Sequence, residues 1–369
     1  MGNRLSHSAV TKFQHCPTAY SLHYNKRIRT TRSHAALNFG TAIDRGITAL
    51  LEGKENPEAI FTKEWLNQSI NGVETYLPTC IDIVYAEADF DKDLVNLEEL
   101  GVGFVLTLDE VLEAIKYKED KGFENIPDEI KKICNIGYWL TLHEKGLLMI
   151  EAFRKKILPK LTKVHSTQEE ISLENDEGDK IVGFVDLVAE MEEQGNVILD
   201  IKTSARDYKE HSAAYSAQLT LYMNALSEKY NTRKAGFLVL SKQIIKNKTK
   251  ICSKCSYDGS GGMAKTCDQE SLQMVEGKKG PSEKMVRCHG DWTVTMKPEA
   301  RVQIIVSEIA QAAEDLVMSN IDDINSSIKS GIFTKNLSKC TDSYGRNCEF
   351  LDLCYRGSME NLTIAQEKK

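Results

Sequence analysis

Gly183-Phe184-Val185-Asp186-Leu187-Val188 and, one short connection later, Val197-Ile198-Leu199-Asp200-Ile201-Lys202-Thr203 decide how this chain is read. Both runs alternate and are rich in β-branched residues, which predicts two strands. Side chains alternate across a strand, so Asp200 and Lys202 share one face, with Val197, Leu199 and Ile201 on the other. The connection Glu190 to Asn196 is polar and contains Gly195, as suits a hairpin loop. Folded about Glu193, the hairpin sets Asp186 opposite Asp200, about 5 Å away. Two carboxylates and an ammonium then meet at one end of a sheet. Such oxygen donors suit Mg²⁺ or Mn²⁺, ions that activate water and neutralise charge on a phosphodiester. Lys202 would add positive charge at the attacked phosphate or hold the water. An isolated Asp-x-Lys more often merely ends a surface strand; the Gly-x-x-Asp strand just before it argues for a site.

His211 to Leu226 reads as a helix with Gln218 and Tyr222 four apart on one face. Gly183-x-x-Asp186, Asp200-x-Lys202 and Gln218-x-x-x-Tyr222 together resemble the PD-(D/E)XK nuclease superfamily. The likeness is to its RecB-like, CRISPR-adaptation-type iron–sulfur exonuclease branch, which also occurs in phages. The resemblance implies an α/β, restriction-endonuclease-like fold, an αβββαβ core around a mixed sheet. It implies metal ligation at Asp186, Asp200 and Ile201, a catalytic Lys202, and Gln218 and Tyr222 lining the DNA side. The family carries Gly-x-x-x-His near its start, the histidine being a metal ligand. Here Gly40-Thr41-Ala42-Ile43-Asp44 substitutes an aspartate. Asp44 is either a replacement ligand for Mg²⁺ or Mn²⁺, or a helix-surface carboxylate that leaves the site short of one.

At 369 residues the chain exceeds one compact core, and a nuclease lobe with additions is expected. Hydrophobic content of 41% and charged content of 27% describe a soluble globular protein. No apolar run approaches a membrane span, and Met1 to Val10 lacks a signal-peptide core, so an intracellular, cytoplasmic protein is expected. The net charge of −7 argues against a generic DNA-coating protein. Its distribution is uneven: Glu87 to Glu99 is acidic, Lys26 to Arg32 and Lys242 to Lys254 basic. That pattern suits a local grip on DNA, although either basic stretch could be a solvated face.

Five regions are expected: N-terminal helices over 1–60, a helical insertion over 61–163, the nuclease core over 164–241, a zinc-ribbon-like insertion over 242–297, and a C-terminal helix with a cysteine segment over 298–369. Ser6 and Ser8 are candidate N-caps for a helix through Val10, Phe13 and Tyr20. Residues 56–161 read as mostly helical, with a loop over 125–130. Trp139, Leu142, Leu147, Ile150 and Phe153 mark an apolar stripe on a long helix. Residues 165–174 form a first strand, on which Glu169 or Glu170 adjoins the site. Lys234 to Leu240 is a buried strand, and Pro298 to Ile321 reads as a helix with Ile304, Ile305, Ile309, Ala312 and Leu316 on one side.

Ten cysteines in an intracellular chain point to metal rather than disulfides. Cys252-x-x-Cys255 is a zinc-ribbon knuckle before a glycine-rich loop, with Cys267 and Cys288 as the second pair and His289 as a substitute ligand. Cys80 and Cys134 are expected to be packing residues. Cys340, Cys348 and Cys354 flank Tyr344-Gly345, and Cys16 stands alone in Phe13-x-x-Cys16-Pro17. The resemblance implies a [4Fe–4S] cluster on Cys16, Cys340, Cys348 and Cys354; spacing by itself does not separate iron–sulfur from zinc.

The expected activity is metal-dependent DNA hydrolysis, as an exonuclease on ends or single strands in recombination, repair or replication. The alternative is a nuclease-fold DNA-binding or scaffold protein without activity. No Gly-x-x-x-x-Gly-Lys-Ser/Thr motif is present, so unwinding would need a separate helicase or recombination partner.

Overall fold

The computed structural model describes residues 4–30, 35–73, 128–175, 178–257, 265–267, 269–277, 280–341 and 347–365, with 113, 116 and 121. Cys80, the acidic stretch 87–99, most of the glycine-rich loop and the Cys134 side chain lie outside them.

Strand β1 (Arg4–Ser6) runs directly into helix α1 (His7–His15). Ser6 caps it, its Oγ accepting from the Ala9 N–H at 3.2 Å. The helix expected to reach Tyr20 breaks at Cys16, which is extended at φ −161° and ψ 110°. Pro17 explains the break, because its ring disfavours helical backbone at the preceding residue. Helix then restarts as α2 (Pro17–Tyr20), and strand β2 (Ile28–Thr30) follows.

Helices α3 (Ala35–Leu51), α4 (Pro57–Val73) and α5 (Asp128–Lys156) form one layer. The loop expected over 125–130 thus gives way to helix at Asp128. Phe39, Ile43, Ile47, Phe61, Met149 and Phe153 bury their side chains together and against Leu238 and Leu240 of the sheet. Gly146 makes this packing possible, since a Cβ there would lie 2.1 Å from the Phe61 ring. The ring is fully buried and stacked on His143 at 5.5 Å, so it has little room to yield. Gly-to-Ala ordinarily favours a helix by up to about 1 kcal/mol. Overpacking wins here: Gly146→Ala is expected to destabilise by about 1–3 kcal/mol, read as a lower urea midpoint. An unchanged midpoint would show that the layer repacks freely.

The sheet is mixed. β3 (Leu161–Glu174), β4 (Lys180–Met191) and β5 (Gly195–Ser204) are antiparallel neighbours; helix α6 (Ala217–Tyr230) then crosses to β6 (Lys234–Cys252), parallel to β5. This gives the expected order of helix, three strands, helix, strand. Along β6, Phe237 and Val239 pack on the α6 side while Leu238 and Leu240 face the α3 layer, as a strand buried on both faces requires. Helix α6 starts later than expected, at Ala217 under a Ser216 cap, and ends at Asn231 in the left-handed region (φ 46°).

Beyond Leu240 the chain does not leave the sheet at Lys242. β6 continues for 19 residues in all, about 60 Å if fully extended. After the hairpin β7 (Glu270–Gly277) and β8 (Gly280–Arg287), strand β9 (Trp292–Glu308) returns antiparallel along it. The helix expected from Pro298 is therefore strand as far as Glu308, and helix α7 (Gln311–Lys329) follows. The run Val302-Gln303-Ile304-Ile305-Val306 is β-branched and fits a pleat better than a helix. Ile305 enters the α6-side core while Ile304 packs on the opposite face, and Leu316 is 71% exposed. Helix α8 (Leu351–Arg356) and β10 (Leu362–Ile364), paired with β2, end the described chain.

One detail of register positions the site. β3 covers one edge of β4 throughout, whereas the other edge is shared: β1 pairs residues 180–182 and β5 pairs residues 187–191. Between them the β4 edge is open over Gly183–Asp186.

Candidate active site

Leu187 pairs with Leu199 and Met191 with Gly195, so the hairpin turns about Glu193 and its register brings Asp186 level with Asp200. Asp186 sits where β4–β5 pairing ends. Its Oδ2 accepts the Ile201 N–H at 2.7 Å. Within a strand, one residue's N–H and C=O leave by the same edge, so the Ile201 carbonyl faces this opening too. Asp44, on α3, reaches the same place: the Gln168 side-chain amide donates to Asp44 Oδ1 at 2.9 Å and to Asp186 Oδ1 at 3.4 Å. Lys202 Nζ lies 2.6 Å from Asp200 Oδ2 and donates to Gln218 Oε1 at 3.2 Å. Gln218 in turn donates to Asp200 Oδ1 at 2.8 Å and to the Tyr222 hydroxyl at 2.6 Å. Asp44, Asp186, Asp200, Ile201, Lys202, Gln218 and Tyr222 all line one cleft of about 580 Å³.

Three carboxylates face one ammonium here, largely out of water. Burial, with the Asp186 charge beside it, pushes Asp44 up to about 6. Burial pushes Asp200 to about 7 against the pull of Lys202. Asp186 is also raised by burial, while the Ile201 N–H and Lys202 hold it down. Burial alone would lower Lys202, but the Asp200 and Asp186 charges outweigh it and keep the ammonium charged. Tyr222 is raised by burial and by Asp200, and remains a neutral phenol. Asp200 Oδ2 is buried, and the Lys202 ammonium at 2.6 Å is its partner there. Crowded carboxylates that raise one another's pKa, next to a main-chain carbonyl, form a donor set that fits a divalent cation.

Carboxylates whose folded-state pKa is raised bind protons more readily when folded than when unfolded. In magnesium-free buffer, stability is therefore expected to fall as pH rises from the ordinary carboxylate range through about 7, where Asp200 is half ionised. Asp200→Asn should flatten that slope in urea midpoints measured across the range; an unaltered slope would refute the assignment of strain to this residue.

Two wall residues have no counterpart among the residues the sequence singles out. Gln168, at φ 49°, takes the place expected for Glu169 or Glu170. Glu169 instead pairs with Lys229 at 2.7 Å and accepts from Tyr230 at 2.5 Å, and Glu170 meets Arg4 at the surface. His7 lines the cleft from the start of α1, its pKa lowered by burial and by Lys202. An amide among glutamates and a histidine opening a helix carry no chemical signature in sequence.

The structure also brings cysteines together at two places. The Sγ atoms of Cys252, Cys255, Cys267 and Cys288 all lie within 4.8 Å of one another. Cys252 and Cys288 are 3.5 Å apart, Cys255 and Cys267 3.6 Å. Sulfurs about 2.3 Å from one tetrahedral ion would be about 3.8 Å apart, so this quartet can hold a metal. Two turns make it: Ser256 (φ 58°) after the first knuckle and His289 (φ 47°) after Cys288. His289 itself is exposed and outside the quartet. The N- and C-terminal cysteines are arranged more openly. Cys16, Cys340, Cys348 and Cys354 line one small cavity, backed by Ala19, Leu22 and Phe350.

A mixed sheet holding paired aspartates and a lysine at its open edge, with a glutamine–tyrosine helix across from them, defines a nuclease-type α/β protein. Residues 4–355 match the model of the PD-(D/E)XK nuclease superfamily, and the chain belongs to that superfamily of metal-dependent nucleases. No curated protein matches. The solved structure described as "Crystal structure of SSO0001" aligns with 58% of this chain and 72% of that chain, at 13% identity and a TM-score of 0.21, and carries no argument.

Proposed function

We propose that the chain is a Mg²⁺- or Mn²⁺-dependent deoxyribonuclease acting as an exonuclease on DNA ends or single strands. The observation that carries the nuclease reading is the convergence of Asp186, Asp200 and Lys202 on one cleft, with Asp200 buried against the Lys202 ammonium. Asp44, Asp186, Asp200 and the Ile201 carbonyl would hold the ion. When bound, it supplies Lewis acidity and charge neutralisation at a phosphodiester.

The protein's own groups do the rest. Lys202, fixed between Asp200 and Gln218, places a positive charge where the attacked phosphate's non-bridging oxygens gather charge, and orients the attacking water. The Gln218–Tyr222 hydrogen bond holds that lysine's partner in place, and the neutral Tyr222 hydroxyl adds no competing anion. Asp44 keeps the donor set anionic where the family carries histidine, which favours a hard, oxygen-preferring ion.

The exonuclease assignment rests on the likeness of the motifs to the RecB-like iron–sulfur branch. The same likeness supports a [4Fe–4S] cluster on Cys16, Cys340, Cys348 and Cys354. Zn²⁺ is proposed for Cys252, Cys255, Cys267 and Cys288, whose close sulfur spacing suits a single ion. Anaerobically purified protein, given end-labelled single- and double-stranded linear DNA with Mn²⁺, Mg²⁺ or EDTA, provides the test, with a closed circular single strand alongside. Metal-dependent loss of linear DNA with the circle spared is expected. Cleavage of the circle would reassign the enzyme as an endonuclease; no cleavage with binding retained would make it a binding protein.

A further inference from the structure

The cleft that holds the carboxylates is bounded on one side by the start of α1. Ser6, His7 and Ser8 form part of its wall. His7 and Ser8 also line a second cavity, of about 610 Å³, which runs along α1 past Thr11, Lys12 and His15 to Lys339 and Cys348. The spacing of these residues is helical, so they form one polar face of α1. That face starts at the open edge of β4, because β1 pairs with residues 180–182 and delivers the first turn of α1 to the gap at 183–186. Lys12 is balanced by Glu349 at 2.5 Å. Lys339 pairs with no carboxylate among the described residues. In a chain of net charge −7, a groove lined by two lysines and one glutamate, sharing His7 and Ser8 with the nuclease cleft, is matched to a polyanion.

We propose that this groove is the track for a single nucleic-acid strand continuing from the scissile phosphate, with His7 and Ser8 at the junction. The inference deepens the nuclease reading and rests on it for the position of the scissile bond. From His7 to His15 the helix rises about 12 Å, room for about three phosphates at the 3.4 Å axial spacing of a stacked strand. The strand's phosphates would meet Lys339, the Thr11 and Ser8 hydroxyls and the two imidazoles. A protein segment is the less fitting occupant, because Ala19 is the one aliphatic side chain among the residues that line the groove and none is aromatic besides the two imidazoles.

The test is equilibrium binding, in EDTA, of fluorescent single-stranded oligonucleotides lengthened one nucleotide at a time, using the full-length protein and a Thr11→Glu, Lys339→Glu variant. Both positions are exposed, and comparison of urea midpoints checks that the fold is intact. Affinity of the unaltered protein should rise over about three added nucleotides, and the variant should lose at least tenfold of that gain. Its slope of log K against log salt should shrink by about 0.7 for each phosphate that the variant no longer neutralises. The same length and salt dependence in both proteins would overturn the proposal. Cleavage with Mn²⁺ is read separately. A variant that loses the length dependence while the unaltered protein cuts no DNA would sink the nuclease reading and leave the track standing.

Discussion

Lys202→Ala is expected to lower turnover on linear DNA by about 10³-fold, about 4 kcal/mol of transition-state stabilisation. The ammonium is held in one position by Asp200 at 2.6 Å and Gln218 at 3.2 Å, so its alignment is set before substrate arrives. A fixed charge in a partly dry cleft acts far more strongly than one in water. Asp200→Ala should abolish cleavage to a similar extent by another route, by removing an oxygen donor. The two variants are told apart by titration with Mn²⁺: Lys202→Ala keeps its ion affinity, whereas Asp200→Ala loses much of it. Removing Lys202 leaves a buried carboxylate without its counter-charge, which is itself destabilising, so activity is compared only where unfolding midpoints show folded protein. Any metal bound at the two cysteine sites should be retained by both variants. Near-normal cleavage by both would sink the site.

How much of this is legible in sequence depends on period and on chemistry. The hairpin of β4 and β5 can be read to the residue, because alternation and a polar loop with Gly195 leave one register that buries Val197 and Leu199. Mirroring that register about Glu193 is enough to bring Asp186 level with Asp200. The β9 strand reads wrongly as helix because Ile304, Ile305 and Ile309 also satisfy a helical spacing; a short apolar run does not distinguish the two periods. Pairing with β6, over 60 residues earlier in the chain, decides it. Gln168 is invisible for a different reason. Its side chain reaches Asp44 and Asp186 from a residue at φ 49°, and backbone of that kind in a non-glycine residue is not predicted by residue type. Helix α1 ends early because Pro17 acts on the residue before it, a rule that the sequence already carries and that the apolar spacing through Tyr20 conceals.

Cys267→Ser is expected to cost the protein one equivalent of tightly bound metal and to unfold the tip of the β6–β9 ribbon, leaving the nuclease sheet intact. Among the described side chains, the tip has little apolar core of its own. Met274 and Met285 of the β7–β8 hairpin are 64% and 58% exposed, and Ile251 and Val294 below them are 37% and 47% exposed. By contrast Cys252 and Cys267 are 2% and 0% exposed. The tip therefore buries sulfur where other folds bury aliphatic carbon, and structural zinc sites in small peptides contribute about 10–16 kcal/mol of apparent binding free energy at neutral pH. Four thiols this close cannot all ionise without a shared ion: backbone N–H groups and the adjoining thiols hold Cys252 down at about 6 against burial, while burial and the adjoining sulfurs push Cys267 up to about 12. Gly290→Ala tests the same centre without removing a ligand, since a Cβ there would lie 2.5 Å from Cys252 Sγ and 3.1 Å from the Lys254 side chain. That variant should hold its metal more weakly in competition with a chelator. Metal analysis and hydrogen exchange over residues 252–290 provide the readouts. Unchanged zinc content and unchanged protection in Cys267→Ser would mean that the tip folds on backbone pairing alone, and that the quartet binds no structural ion.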